Sequence, residues 1–139
     1  MVKKIKWKKG SGEILGFCAI VPMLFIMFMV LISALQVGIA KQRMEYAAYS
    51  SCRAAVVSSD KDYAKNQANG VAKEYLGSMN CIDSDSVNVN LEVIDTDTTW
   101  VKGHFVECTL SADVHTILPF FTNGTKSVSI VMMIENPSD

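Results

Sequence analysis

The residues with chemistry to offer are four cysteines, two histidines and two clusters of alternating aspartates. His104 and His115 stand eleven positions apart, a spacing that belongs to no familiar metal-ligand motif, and they read as ordinary strand-surface positions. Asp83-Ser84-Asp85 and Asp95-Thr96-Asp97 place carboxylates at alternate positions. The first lacks the glycine and the distal glutamate of a helical calcium loop, so solvated loops are the better reading. Asn123-Gly124-Thr125 matches a glycosylation acceptor, but Asn-Gly is also a favoured turn pair, and the turn accounts for it. The sequence contains no glycine-rich phosphate loop, nucleophile elbow or paired-carboxylate site. The expectation is a non-enzyme, without cofactor or metal. A nucleic-acid partner is not expected either. The net charge is -1, and the basic cluster sits in the first nine residues beside an apolar run rather than on a folded face.

That apolar run is the element that positions everything else. From Ile14 to Ala40, 27 residues, no side chain is charged, and only Ser33 and Gln36 are appreciably polar. A helix needs about 20 residues to cross the hydrocarbon core. The excess predicts tilt, or a last turn outside the bilayer. A secretory signal has a basic start too, but its apolar core is only about 7–15 residues long, and this one continues through Val37. Lys3, Lys4, Lys6, Lys8 and Lys9 precede the span, while Lys41 and Arg43 follow it, partly offset by Glu45. Positive charge is retained inside, so the N-terminus is expected in the cytoplasm and residues after Ala40 outside.

Within the span, Gly12 and Gly16, then Ala34 and Gly38, recur four apart, a spacing that lets helices approach closely in lipid. Pro22 removes one backbone donor and is expected to kink the helix or loosen a turn. Gln36 is placed to hydrogen-bond a neighbouring helix, or to lie at the outer interface. Cys18 reads as a small apolar membrane residue.

Beyond Ala40 the helical pattern runs on to Val57 without Gly or Pro, with Met44, Ala48, Cys52, Ala55 and Val56 on one stripe. Ser59 and Asp62 fit a capping box that starts a second helix. Its expected face is Tyr63, Ala64, Gln67, Ala68, Val71, Ala72, Tyr75 and Leu76, and Gly77 is its expected C-cap. The period then changes to two. Val87, Val89, Leu91 and Val93 alternate with polar residues, as do Val106, Cys108, Leu110, Ala112 and Val114, then Val128, Ile130, Met132 and Ile134. The expected fold class is α+β, with a small, three-stranded antiparallel meander packed on the helices. The expected divisions are a basic leader at 1–12, a transmembrane helix at 13–40, a helical region at 41–77 and a β region at 78–139.

On this arrangement Cys52, Cys81 and Cys108 all lie outside, where disulfides persist. Cys108 falls mid-strand facing the helices, and Cys81 lies roughly 30 Å away along an extended strand at about 3.3 Å per residue. A disulfide needs Cα atoms within about 7 Å. Cys52 is therefore the better partner for Cys108, with Cys81 as the alternative should its loop fold back. A reduced, buried pair is left open.

The front of the chain also carries a resemblance. Lys8-Lys9-Gly10-Ser11-Gly12-Glu13-Ile14 leads into Phe17-Cys18-Ala19-Ile20-Val21-Pro22-Met23-Leu24-Phe25, followed by the Ala40 to Ala55 helix. Over roughly the first sixty residues this resembles the TadE-like proteins, pseudopilins or minor pilins of the tight-adherence (Flp-type) pilus system. The resemblance implies a pilin-like fold and a structural or accessory role in a pilus or related secretion machine. It implies other pilin-like subunits or the assembly platform as partners through the membrane helix. It also implies a prepilin peptidase acting in the Gly10, Ser11, Gly12, Glu13 segment, most simply after Gly10. Such precursors usually carry Glu at the fifth mature position; cleavage after Gly10 puts Leu15 there and Glu13 third. A membrane-anchored binding module that never assembles is the alternative.

Overall fold

Apolar side chains without an interrupting turn signal make one helix of the first third of the chain. The computed structural model describes residues 10–95, 99–118 and 123–135; the five leader lysines lie outside them. Helix α1 spans Gly10–Val56 and stays continuous through Pro22. It ends where the Ser58 hydroxyl turns back onto the Ala54 carbonyl at 3.1 Å and the Ser58 N–H bonds Ala55 at 3.0 Å.

Helix α2, Lys61–Leu76, starts at Asp60, whose extended backbone lets its carboxylate accept the Tyr63 N–H. This corrects the expected Ser59–Asp62 box: an aspartate one residue later reaches the third helical N–H directly. The break near Ser58 is a full reversal, since Tyr46 of α1 meets Tyr75 of α2 edge to face, ring centroids 5.4 Å apart. The buried face of α2 is narrower than expected: Ala64, Ala68, Ala72 and Leu76 are buried, whereas Tyr63, Gln67 and Tyr75 are exposed. Three alanines four apart leave too little bulk to hold the helices apart, so only one row of α2 needs covering. Gly77 caps α2 in the right-handed conformation, and what demands glycine is space: a Cβ would lie 2.7 Å from the Lys73 carbonyl oxygen.

The three strands β1 (Asn88–Val93), β2 (Phe105–Val114) and β3 (Gly124–Met133) form an antiparallel sheet in the order β1-β2-β3. Leu91 pairs with Cys108 and Cys108 with Ile130, so the middle row joins three expected core positions. Between β1 and β2 the His104 N–H bonds the Val101 carbonyl, and Gly103 takes φ 94°, a left-handed conformation that glycine adopts without steric cost.

The core lies between the helices and the inner face of the sheet. Cys52 of α1 meets the Ile130 carbonyl, so Met44, Ala48, Cys52 and Val56 look at the sheet, and the neighbouring row Ala47, Ser51 and Ala55 turns toward α2. Val89, Leu91, Val93, Val106, Cys108, Leu110, Ala112 and Val114 close it from the other side, all at most 6% exposed.

Three contacts pin the sheet to the helical turn. The Trp100 indole N–H donates to the Ser58 carbonyl at 2.9 Å. The Glu135 N–H bonds the Val56 carbonyl at 2.9 Å, and its carboxylate pairs with Arg53 at 2.6 Å. The ion pair is exposed and contributes little by itself; the two backbone-directed bonds do the fixing.

Candidate functional site: a bare helix and the domain seated on it

Helix α1 has two halves with opposite surroundings. From Gly12 to Ile32 every side chain is exposed except half-buried Met29. This half makes α1 long and apolar enough to cross a membrane, and none of its most apolar stretch is covered by the rest of the chain. Met23 at 75%, Phe17 at 69% and Phe25 at 61% exposure are typical of it. An apolar surface this continuous marks a membrane or a partner, because water disfavours it by about 25 cal/mol for every Å².

Cover begins at Ser33, which is 2% exposed and donates to the Met29 carbonyl at 2.9 Å. Ala40 and Met44 are fully buried about two and three turns later. Gln36 does not wait for a neighbouring helix: its carboxamide oxygen accepts the Ile117 N–H of the same chain, at 3.3 Å. The loop after β2 thus reaches the helix well before Ala40, the expected end of the span.

Gly10 opens α1, and Ser11, Gly12 and Glu13 complete its first turn. A carboxylate there is favoured by the helix dipole. A Cβ placed on Gly12, Gly16 or Gly38 would meet nothing within 4 Å, and Ala34 is exposed. These small residues make no close approach within the chain; any approach they permit is to another molecule.

The sheathed half of α1 brings together the two cysteines paired in the sequence reading. Cys52 is 0% and Cys108 1% exposed, and both are free thiols. They hydrogen-bond to each other, which with burial pushes the Cys108 thiol far above the usual thiol range. The same bond, with Cys108 as donor, favours a thiolate on Cys52, against the opposing pull of burial. Only one of the two sites readily carries charge, since a second thiolate in the same apolar pocket has no counter-ion. Cys81 lies elsewhere: its carbonyl accepts the His115 N–H at 2.8 Å, beyond the far end of β2. The loop does fold back on β2, but at Val114 rather than at Cys108. Cys18 is exposed in the bare half.

The remaining polar groups serve local structure. His104 Nδ1 lies 3.2 Å from the Thr99 carbonyl oxygen, and His115 is exposed. Asp83 accepts the Asp85 N–H, and Asp95 accepts the Phe105 N–H; Asp97 lies outside the described residues. The Asn123 oxygen accepts the Thr116 N–H at 2.9 Å, so this side chain closes the loop between β2 and β3. Among the described residues, no three His, Cys, Asp or Glu side chains converge as metal ligands.

Sequence reasoning missed the contacts made by Asn69 and Trp100, and it gave Gln36 a neighbouring helix or the outer interface where the structure gives Ile117. Compared with known proteins, the chain matches no family model, no curated protein and no solved structure.

Proposed function

We propose that this chain is a non-catalytic subunit, structural or accessory, of a pilus or related secretion machine of the tight-adherence type. In this reading α1 holds it in the cell membrane, with the N-terminus in the cytoplasm and the α2–sheet unit outside. The observation that carries the reading is the division of one unbroken helix into a bare apolar half and a sheathed half. The bare residues from Ile14 to Ile32 number 19, which at about 1.5 Å each is close to 28 Å, against a hydrocarbon core of roughly 30 Å.

A subunit built this way is stored in the bilayer by its bare half. On assembly the same surface leaves lipid and packs against equivalent helices, which keeps it out of water throughout. Gly12, Gly16 and Gly38 leave room for such packing. Partners in this scheme are other pilin-like subunits, the assembly platform and a prepilin peptidase acting near Gly10. The test is a cysteine placed at Leu15, which is exposed on the bare half. Oxidative cross-linking should join it to another pilin-like subunit in filaments sheared from cells. Absence of the chain from sheared filaments, with only monomer in the membrane, would sink the filament role.

One feature favours the second reading, a permanently anchored extracytoplasmic binding module. Glu13 falls third, not fifth, after cleavage at Gly10, so the carboxylate that neutralises a neighbour's free amine is displaced. Intact-mass analysis of the protein from its native membrane separates the two readings: a chain beginning at Met1 supports the anchored module.

A further inference from the structure

We propose that Cys52 and Cys108 are the two halves of a disulfide that staples α1 to the middle strand of the sheet. Two observations converge on this pair. Cys52 sits on the sheet-facing stripe of α1, with its sulfur 4.0 Å from the Ile130 carbonyl oxygen. Cys108 is the residue of β2 directly paired with Ile130. Adjacent strands put paired Cα atoms about 5 Å apart, so Cys52 and Cys108 face the same point of the sheet.

Both are shut away from water, at 0% and 1% exposure, so a finished bond is protected from reductants. The competing partner is excluded by distance. The Cys81 carbonyl accepts the His115 N–H, and the seven steps along the chain from Cys108 to His115 cover about 23 Å when extended, well beyond the roughly 7 Å limit on Cα separation.

The inference rests on the proposed topology, which puts residues after Ala40 in an oxidising compartment. The oxidant is a disulfide-donating oxidoreductase of that compartment. A thiolate of the pair attacks the donor disulfide, forming a mixed disulfide and expelling one donor sulfur. The second cysteine then attacks the mixed bond, closing Cys52–Cys108 and releasing the donor. Two S–H bonds of this chain become one S–S bond, and the donor takes both electrons and protons as its dithiol. Exchange has to precede full docking of the sheet on α1, because afterwards a donor has no path to the sulfurs.

The test uses the full-length chain in its native membrane. Thiols are blocked with N-ethylmaleimide in denaturant, and the chain is digested without reductant. The expected product is one linked peptide pair containing Cys52 and Cys108, split by reduction, with Cys18 and Cys81 alkylated. Alkylated Cys52 and Cys108, or linkage of either to Cys81, overturns the proposal. Protease cleavage after Lys102 and Lys126 in sealed and inverted membranes, scored on the Cys52→Ser/Cys108→Ser variant, reads topology separately. Free thiols with cleavage from outside defeat the disulfide alone; free thiols with cleavage only from the cytoplasmic face defeat it together with the topology.

Discussion

The Asn69 carboxamide oxygen of α2 accepts the Val89 N–H of β1 at 2.8 Å, while its own amide donates to the Lys65 carbonyl at 2.9 Å. One side chain therefore fixes an outer strand of the sheet to the outer helix. Asn69→Ala leaves the Val89 N–H without its partner in a half-buried place, at a cost of about 1–2 kcal/mol. Denaturant unfolding of the detergent-solubilised chain should show that loss, with faster hydrogen exchange at Val89 than in the unsubstituted chain. Unchanged exchange at Val89 would mean that the bond does not hold the strand.

Leu110 is fully buried, and its strand neighbour Thr109 is half-exposed on the opposite face. Leu110→Ala should destabilise the domain by about 3 kcal/mol, and Thr109→Ala by well under 1 kcal/mol. Equal losses would show that the sheet packs in another register.

Ala68 is fully buried between the helices, whereas Gln67 is exposed and bonds the Tyr63 hydroxyl at 2.7 Å. Ala68→Leu should force the helices apart at a cost of about 1–3 kcal/mol, lowering the thermal midpoint and separating Tyr46 from Tyr75. Gln67→Leu should leave the midpoint nearly unchanged. A tolerated Ala68→Leu would contradict close packing of the hairpin.

Gly10→Leu should block maturation while leaving membrane insertion intact, because a branched side chain obstructs the backbone where the peptidase is expected to act. Intact mass reads the outcome. Normal shortening of the variant would place the cut elsewhere, with Gly12 the next site to examine.

The elements were legible because each carries a period that matches the face it buries. Val106 to Val114 alternate in the sequence, and the same residues alternate in burial. The stripe from Met44 to Val56 is read from helical spacing and is buried as read. Tyr63, Gln67 and Tyr75 shared that spacing yet stayed outside, since a row of alanines draws α2 so close that nothing covers its flanks. How far the domain reaches down α1 was not legible. That depends on the Ile117 N–H finding Gln36, a contact between positions 81 residues apart for which local sequence has no signal. The thiol pair was half legible: the faces followed from periodicity, but the height at which helix and strand meet did not.

The contact of Gln36 with Ile117 also sets a ruler. In the proposed membrane it leaves 19 residues from Ile14 to Ile32 before cover begins, about 28 Å of helix, and the surplus apolar length that suggested tilt runs beside the domain with Leu35 and Ile39 still exposed. A helix of that reach stands nearly upright in a thin bilayer and falls short in a sterol-thickened one, at a modest cost for each ångström of mismatch. The domain lies along one side of the helix above that span. In the proposed membrane, bilayer thickness would then bear on how firmly the helix is held.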